Sequence, residues 1–272
     1  PVFSDAKVYY GYTSCGDSKA DYTNDSSVSA EKPDHSTGAA GDKAANCGSK
    51  AYCSVCDSEY GELLDHVMDP TTGLCTSGCG KMMAEASVTK SVAGGIVGIG
   101  STTYYETLNE AVQAVSSCTA GDNATVKLLS SLTLTETVTI SGGVFTLDLN
   151  GKDVTFSKDT AFGFDISGGE VTFAGTGTVT MENGTAIFAK EDAVVTISGG
   201  TYDGAVAVLS YGTATITGGT LKGSGFGIRN LGNLTIAGGE VSSYQKNTSN
   251  PYDVTAIISS GGRITVTGGT LK

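Results

Sequence analysis

The residues of this chain that are best suited to chemistry are six cysteines and two histidines within the first 90 positions. Four of the cysteines form two closely spaced pairs, Cys53 with Cys56 and Cys75 with Cys79. Pairs of thiolates separated by two or three residues on tight turns are typical of tetrahedral zinc sites. The spacing therefore predicts that these four cysteines bind a structural zinc ion, with Gly80 allowing the second turn.

The other candidate ligands are spread more widely, and they leave several alternatives open. They are Cys15, His35, Cys47 and His66. Together they could form a second metal site, because eight ligands divide into two tetrahedra. In a secreted protein the cysteines could instead form disulfides, with Cys15 bonded to Cys47, and the two histidines could be ordinary surface residues. The seventh cysteine, Cys118, is expected to be a buried apolar residue.

The composition excludes several classes of function. The 272 residues include 28 acidic and 16 basic side chains, which gives a formal net charge of −12. A protein that binds the phosphate backbone of nucleic acids needs a basic face, so we expect no nucleic-acid partner. No apolar run approaches the roughly 18 residues of a membrane span. The charged fraction of 16% also argues against a disordered chain.

A short motif recurs through the remaining two thirds of the chain. It reads apolar–Thr–apolar–small–Gly–Gly, as in residues 195–200, and its second apolar residue serves as a reference. The reference residues are Ile140, Ile166, Ile197, Ile216, Ile236 and Val266. Their successive separations are 26, 31, 19, 20 and 30 residues. A recurrence at 20 to 50 residues is typical of solenoid proteins.

The motif combines the signals of a strand and of a corner. Alternation of apolar residues with Thr suits a pleated strand that has one buried face. A Gly-Gly pair allows positive φ and a sharp bend. The pattern therefore predicts a right-handed, single-stranded parallel β-helix, in which stacked coils bury a continuous apolar column. A β-sandwich is the alternative, although its strands would not need such similar sequences.

The chemistry of the chain changes near residue 90. We therefore expect a Cys/His-rich, zinc-binding module over residues 1–90 and a parallel β-helix over residues 91–272. Thr107 and Glu110 form a capping-box pattern, and apolar residues follow at helical spacing, which predicts a capping helix over residues 106–117. Because the chain stops within a copy of the motif, we expect the β-helix to be truncated at Lys272.

Two segments carry a resemblance to a known family. They are the Thr-x-Thr-Ile-x-Gly-Gly-Thr pattern of the repeats and residues 105–112, Tyr-Glu-Thr-Leu-Asn-Glu-Ala-Val. They resemble the Gly-Gly-Thr parallel β-helix repeats of large clostridial cell-surface proteins, which belong to the pectate-lyase-like superfamily. The cysteine-rich residues 50–61 look like modules of the same Firmicutes proteins. The resemblance implies an extracellular module, adds weight to metal binding, and is almost silent about activity.

The repeats carry no recognisable catalytic set. Enzymes of the β-helix class need clustered carboxylates on one strand face. Equivalent positions on neighbouring coils offer one pair of opposite charges, Asp203 with Lys222. Tyrosines near corners could instead form a stacking platform for sugars. The candidates are Tyr202, Tyr211 and Tyr244 near corners, together with Tyr252 in the long insertion before the last coil.

These observations lead to one expected function and two rivals. We expect a secreted or cell-wall-attached bacterial surface protein whose β-helix acts as a stalk or adhesion module. Its partner would be a polysaccharide or another cell-surface protein. The first rival is a polysaccharide lyase or glycoside hydrolase of the β-helix class, for which fold analogy is the argument. The second is a purely structural spacer.

Overall fold

The computed structural model of this protein describes residues 41–54, 58–91, 101–244 and 255–272. The chain divides into two compact units. The smaller unit contains the described residues up to Asp69 together with Leu74–Met82. The larger unit contains Pro70–Gly73 and Met83–Lys272, so the last residues of the predicted 1–90 module belong to it.

Strands make up most of the regular structure. The smaller unit contains β1 (Ala51–Cys53) and β2 (Ser58–Tyr60), which pair antiparallel. The larger unit begins with β3 (Ala86–Lys90), β4 (Ser101–Tyr105), the helix α1 (Leu108–Ala114), a 3-10 turn (Ala120–Asp122), β5 (Ala124–Leu128), β6 (Leu132–Leu134), β7 (Val138–Ile140) and β8 (Val144–Asp148). It continues with β9 (Val154–Phe156), β10 (Phe162–Ile166), β11 (Gly169–Ala174), β12 (Thr178–Met181), β13 (Thr185–Ala189), β14 (Ala193–Ile197) and β15 (Thr201–Ser210). It ends with β16 (Thr213–Ile216), β17 (Thr220–Asn230), β18 (Asn233–Ile236), β19 (Glu240–Ser243), β20 (Thr255–Ser259), β21 (Arg263–Val266) and β22 (Thr270–Leu271).

From β5 onwards the strands form three parallel ladders. Ladder A contains β5, β8, β11, β14, β16, β18 and β21. Ladder B contains β6, β9, β12, β19, β22 and the first halves of β15 and β17. Ladder C contains β7, β10, β13, β20 and the second halves of β15 and β17. The chain visits the three ladders in turn, which confirms the predicted parallel β-helix.

The strand registers show that the repeated motif occupies two different positions in the coil. The later reference residues lie in register on ladder A: Ile197, Ile216, Ile236 and Val266. Ile140 and Ile166 instead pair with each other on ladder C. The separation of 31 residues between Ile166 and Ile197 is therefore not a coil length, because Ile166 pairs with Ala189 and Ile197 pairs with Phe173. A Gly-Gly bend suits either corner, so the motif alone does not identify the ladder.

The inward-facing residues stack into columns that form the core. One column on ladder A consists of Ala124, Phe145, Val171, Val195, Ala214 and Leu234, all of them buried. Four aromatic rings meet edge-to-face within the core: Phe156, Phe164, Phe173 and Tyr202. Their successive ring centroids are 5.5, 5.2 and 5.9 Å apart. This geometry is the favoured one for aromatic pairs, so the rings link neighbouring coils.

Glycine is required where the corners of successive coils come closest. Gly232 stacks on the corner that contains Tyr211 and Gly212. A Cβ atom on Gly232 would lie 2.0 Å from the Gly212 carbonyl oxygen and 2.3 Å from the Tyr211 carbonyl oxygen. Because both neighbours are backbone atoms, no side-chain rotation relieves the overlap, and the coils would have to separate.

We therefore expect Gly232→Ala to lower the free energy of unfolding of the solenoid by about 2–3 kcal/mol. Urea unfolding followed by far-ultraviolet circular dichroism measures this change. The matched control is Gly261→Ala, because a Cβ atom there would meet its nearest neighbour, the Leu231 carbonyl oxygen, at 3.4 Å. Equal losses of stability in the two variants would contradict the prediction.

A helix covers the first coil, as predicted. Thr107 Oγ1 accepts a hydrogen bond from the Glu110 amide, and the Glu110 carboxylate accepts one from the Thr107 amide, so the capping box is confirmed. The apolar face of the helix is buried and consists of Leu108, Ala111 and Val112, and the C-cap residue Val115 is buried beside them. The helix ends at Ala114, three residues before the predicted end, because residues 115–117 form a turn. Helix α1 packs against β3, β4, β5 and β7.

The helices in the described part of the chain are short. Helix α1 has seven residues and the 3-10 turn has three. Among the described residues, no helix is long and apolar enough to cross a membrane.

Candidate metal centre

Four side chains of the smaller unit converge, and we call them the Cys/His cluster: Cys47, His66, Cys75 and Cys79. Their three sulfurs and an imidazole nitrogen all lie within 4.8 Å of one another. The Sγ atoms of Cys47 and Cys75 are 3.3 Å apart. The Nδ1 atom of His66 lies 3.4 Å from Cys75 Sγ and 3.6 Å from Cys79 Sγ. Such a group could hold a metal ion.

Backbone hydrogen bonds place Cys47 against the turn that carries the other two cysteines. The Cys47 amide donates to the Ser77 carbonyl at 3.2 Å. The side-chain oxygen of Asn46 accepts from the amides of Gly48 and Ser49, at 2.7 and 2.8 Å. These bonds hold the Cys47 loop in a tight turn, so the thiol position follows from the backbone.

His66 is anchored on both of its sides to the same turn. The Ser77 hydroxyl donates to the Asp65 carbonyl at 2.6 Å. The Thr76 amide donates to the Val67 carbonyl at 2.8 Å. The two contacts flank His66 in sequence, so they hold its imidazole beside the cysteines.

The turn from Cys75 to Cys79 is closed by glycines. Gly78 has φ +95° and Gly80 has φ +65°, values that other residues rarely adopt. The Cys75 amide donates to the Lys81 carbonyl at 2.9 Å, which closes the base of the turn. The chain therefore returns on itself within a few residues and brings both thiols to one side.

The surroundings of Cys75 in the cluster stabilise its thiolate form. Burial raises the pKa of Cys75, but hydrogen bonds from His66, Cys47 and two backbone amides outweigh burial and lower this pKa from 9.0 to about 6. The Cys47 thiol shows the opposite change. Its hydrogen bond with Cys79, its burial and its contact with Cys75 raise the pKa of Cys47 to about 11. At neutral pH the metal-free protein therefore keeps the proton on Cys47, where it is shared with the Cys75 thiolate.

We expect the affinity of this cluster for zinc to rise with pH, because the metal must displace the proton of Cys47. From about pH 6 to about pH 11, Cys75 is ionised while Cys47 is protonated. Each pH unit in this window should strengthen zinc binding at least about tenfold. Below about pH 6 the protonation of Cys75 should make the dependence steeper. Competition with a chromophoric chelator at several pH values measures this, and an affinity independent of pH would contradict the prediction.

The cluster combines two residues from each of the predicted ligand sets. Cys75 and Cys79 come from the closely spaced set, and Cys47 and His66 come from the dispersed set. Cys53 lies buried in β1 and is not part of the cluster. Three predicted ligands lie outside the described residues: Cys15, His35 and Cys56. The five described cysteines carry free thiols, and Cys118 is buried as predicted.

Tyr202, predicted as part of a sugar-binding platform, lies in the core instead. Its side chain is 0% exposed and its ring packs against Phe173. The reason is the strand register, because Tyr202 shares an inward-facing column of ladder B with the buried Leu221 and Val241. Tyr202 is therefore not accessible to a ligand. Tyr252 lies outside the described residues.

We expect Tyr202→Phe to raise the free energy of unfolding by about 1–2 kcal/mol. The hydroxyl of Tyr202 has no hydrogen-bond partner among the described residues, and burial raises its pKa. Removing a buried group without a partner relieves its desolvation penalty while the ring is retained. Urea unfolding measures the change, with Tyr211→Phe as the control at an exposed tyrosine. A lower stability of Tyr202→Phe would contradict the prediction.

Tyr211 and Tyr244 are exposed, but each is engaged within the solenoid. The Tyr211 ring packs edge-to-face on Phe188 with centroids 5.7 Å apart. The Tyr244 hydroxyl donates to the Asp203 carboxylate. Partial burial and this contact raise the pKa of Tyr244 to about 12. Asp203 and Lys222 are neighbours in register on ladder B, as their spacing predicted.

The outward face of ladder A carries a column of hydroxyl groups. One threonine from each strand lies in register: Thr125, Thr146, Thr172, Thr196, Thr215, Thr235 and Thr265. A groove of about 420 Å³ runs over the first four of them. It is edged by Val144, Glu170 and Val194. We call this feature the threonine groove. Its hydroxyls repeat at the strand spacing of about 4.8 Å.

The described residues thus offer two candidate sites of different kinds, a cluster of metal-ligating side chains and a shallow polar groove. The cluster has the more specific chemistry, because thiolates and imidazole rarely converge without a role. No family model, no curated protein and no solved structure matches this chain.

Proposed function

We propose that the Cys/His cluster binds one zinc ion. Thiolate and imidazole ligands favour zinc over magnesium or calcium. With Zn–S distances of about 2.3 Å and Zn–N distances of about 2.0 Å, the ligand atoms of a tetrahedral site are about 3.5–3.8 Å apart. The distances of 3.3, 3.4 and 3.6 Å within the cluster lie close to that range. The convergence of four ligand atoms within 4.8 Å is the observation that carries the proposal.

The role we propose for this zinc ion is structural. Four protein ligands complete a tetrahedron, whereas catalytic zinc sites keep one position open for water or substrate. The described part of the smaller unit also buries few apolar side chains. Among its described residues the buried ones are Cys47, Ala51, Cys53 and Cys75. So small a core among the described residues is compatible with stabilisation by a metal ion, which supports the structural role.

Metal analysis of protein purified without chelator tests the zinc site. Mass spectrometry of the acid-digested sample should find at least one zinc per chain. Thiol titration of the metal-free, unfolded protein should then recover the cysteines of the cluster as free thiols. Protein that binds no zinc even after its cysteines are fully reduced would reject the proposal.

For the larger unit we propose a stalk or adhesion module in a secreted or cell-wall-attached bacterial surface protein. The β-solenoid and the resemblance to clostridial surface repeats support this role. The net charge of −12 for the whole chain disfavours a nucleic-acid partner. The partner we propose is a polysaccharide or another cell-surface protein, and the threonine groove is the surface we assign to it. Threonine hydroxyls and methyl groups can contact both the polar and the apolar faces of a sugar.

A pair of matched variants tests the groove on a glycan array. Thr172→Lys places a long side chain in the groove, whereas Thr180→Lys makes the same change on ladder B of the same coil. We expect the wild type and Thr180→Lys to bind a common set of glycans, and Thr172→Lys to bind them at least about tenfold more weakly. Absence of any glycan signal would reject polysaccharide as the partner. Depolymerisation of uronic-acid polymers by the wild type would assign the lyase or hydrolase activity instead.

A further inference from the structure

The two buried ligands of the Cys/His cluster are close enough to bond to each other. The Sγ atoms of Cys47 and Cys75 lie 3.3 Å apart, and a disulfide joins its sulfurs at about 2.05 Å. Closing this gap requires a movement of about 1.3 Å. We infer that oxidation joins Cys47 to Cys75 and releases the zinc ion, so that the zinc-bound and disulfide-bonded forms are alternative states of one site. This inference rests on the zinc site proposed above.

The backbone holds the two cysteines together without help from a metal. The Cys47 amide donates to the Ser77 carbonyl at 3.2 Å, and the Cys75 amide donates to the Lys81 carbonyl at 2.9 Å. Both acceptors belong to the turn that follows Cys75. The two thiols therefore face each other whether or not an ion is bound, which is the arrangement that disulfide formation needs.

The cluster has a buried side and an exposed side. Cys47 and Cys75 are 8% and 6% exposed, whereas His66 and Cys79 are exposed. A small oxidant such as hydrogen peroxide can approach from the exposed side. The buried pair is shielded from larger reagents and from other protein chains, so an internal bond between the two buried thiols is favoured over a bond to another molecule.

The oxidation balances with hydrogen peroxide as the oxidant. The Cys75 thiolate attacks one peroxide oxygen, the O–O bond breaks, and a sulfenic acid and a hydroxide ion form. Cys47, as the thiolate left once it has given up its zinc ion or, in the metal-free site, its proton, then attacks the sulfenic sulfur, so that the S–S bond forms and a second hydroxide leaves. Two protons convert the hydroxides to water. The two sulfurs lose two electrons, the peroxide gains two, and the zinc ion stays divalent throughout.

Zinc leaves because the disulfide removes two of its four ligands. The sulfur of a disulfide carries no negative charge and is a poor ligand compared with a thiolate. The remaining ligands would be His66 and Cys79, both on the exposed side. Two exposed ligands do not make a stable tetrahedral site, so the ion is lost to solvent.

Peroxide treatment of the zinc-loaded full chain tests the inference. Zinc release is followed with a chromogenic chelator, and the bonded cysteines are identified by mass mapping of peptides without reduction. We expect one Cys47–Cys75 bond for each zinc ion released, and we expect a dithiol reductant to restore zinc binding. Zinc retained after treatment, zinc released without this bond, or bonding of either cysteine to a different partner would overturn the inference.

Two variants keep the result interpretable. Cys118→Ser changes a buried cysteine of the larger unit and should leave the ratio of bonds to released zinc unchanged. Cys79→Ser weakens zinc binding but keeps the buried pair, so peroxide should still form the Cys47–Cys75 bond. If the reduced wild type holds no zinc, the zinc proposal fails by itself. A missing Cys47–Cys75 bond in Cys79→Ser would overturn the redox inference separately.

Discussion

Replacement of Cys47 by serine should lower the affinity for zinc by at least about 100-fold, because even residues that only support metal ligands contribute 10- to 100-fold. Cys47 Sγ lies 3.3 Å from Cys75 Sγ, within the group of four ligand atoms. A serine hydroxyl stays protonated at neutral pH and does not replace a thiolate. Isothermal titration with zinc, or competition with a chelator of known affinity, measures the loss.

Cys53→Ser is the control that distinguishes the ligand set predicted from sequence spacing from the Cys/His cluster found in the structure. The sequence spacing places Cys53 among the zinc ligands, whereas in the structure it lies in β1, outside the cluster. We therefore expect Cys53→Ser to keep its zinc affinity, although burying a hydroxyl at this position lowers the stability of the unit by about 1–2 kcal/mol. If Cys53→Ser lost its zinc while Cys47→Ser kept it, the result would support the ligand set predicted from spacing instead.

The second large effect is expected in the core of the solenoid. Phe173→Ala should lower the free energy of unfolding by about 3–5 kcal/mol. The Phe173 ring is 0% exposed and contacts the rings of Phe164 and Tyr202 edge-to-face. Its removal leaves a cavity between coils that β-sheet hydrogen bonds keep from collapsing. Since the chain has no tryptophan, far-ultraviolet circular dichroism during urea unfolding is the suitable measurement.

The matched control for this core variant is Phe188→Ala. Phe188 is also part of an aromatic series, since it stacks on Phe162 and meets Tyr211, but it is partly exposed on the outward side of ladder C. Its removal should destabilise the solenoid by only about 1 kcal/mol. Equal effects of the two substitutions would show that the outward aromatic series contributes as much as the core.

Local patterns were sufficient to predict the architecture. Alternating Thr and apolar residues specify which side of each strand is buried, and Gly-Gly pairs specify where the chain bends. The capping box of Thr107 and Glu110 identified the N-cap correctly, and the helix begins at Leu108, two residues after the predicted start. These signals act over a few neighbouring residues, so they can be interpreted without knowing the rest of the fold.

The position of each copy in the coil required the tertiary structure. Ile166 and Ile197 occupy the same place in the motif, yet they lie on different ladders. Tyr202 likewise follows a corner, and its burial depends on its column of ladder B. A bend of two glycines fits more than one corner of a coil, and only the pairing with the neighbouring coils decides between them.

The sequence by itself therefore determined that strands and corners stack into a parallel solenoid, and that a cysteine-rich unit precedes it. Only the tertiary structure decided which ligands meet. Cys75 and Cys79 are brought together by a local turn, whereas Cys47 reaches them through a backbone hydrogen bond to Ser77, 30 positions along the chain. The spacing of cysteines in the sequence predicts contacts within one turn. Contacts across a long loop depend instead on how the backbone closes that loop.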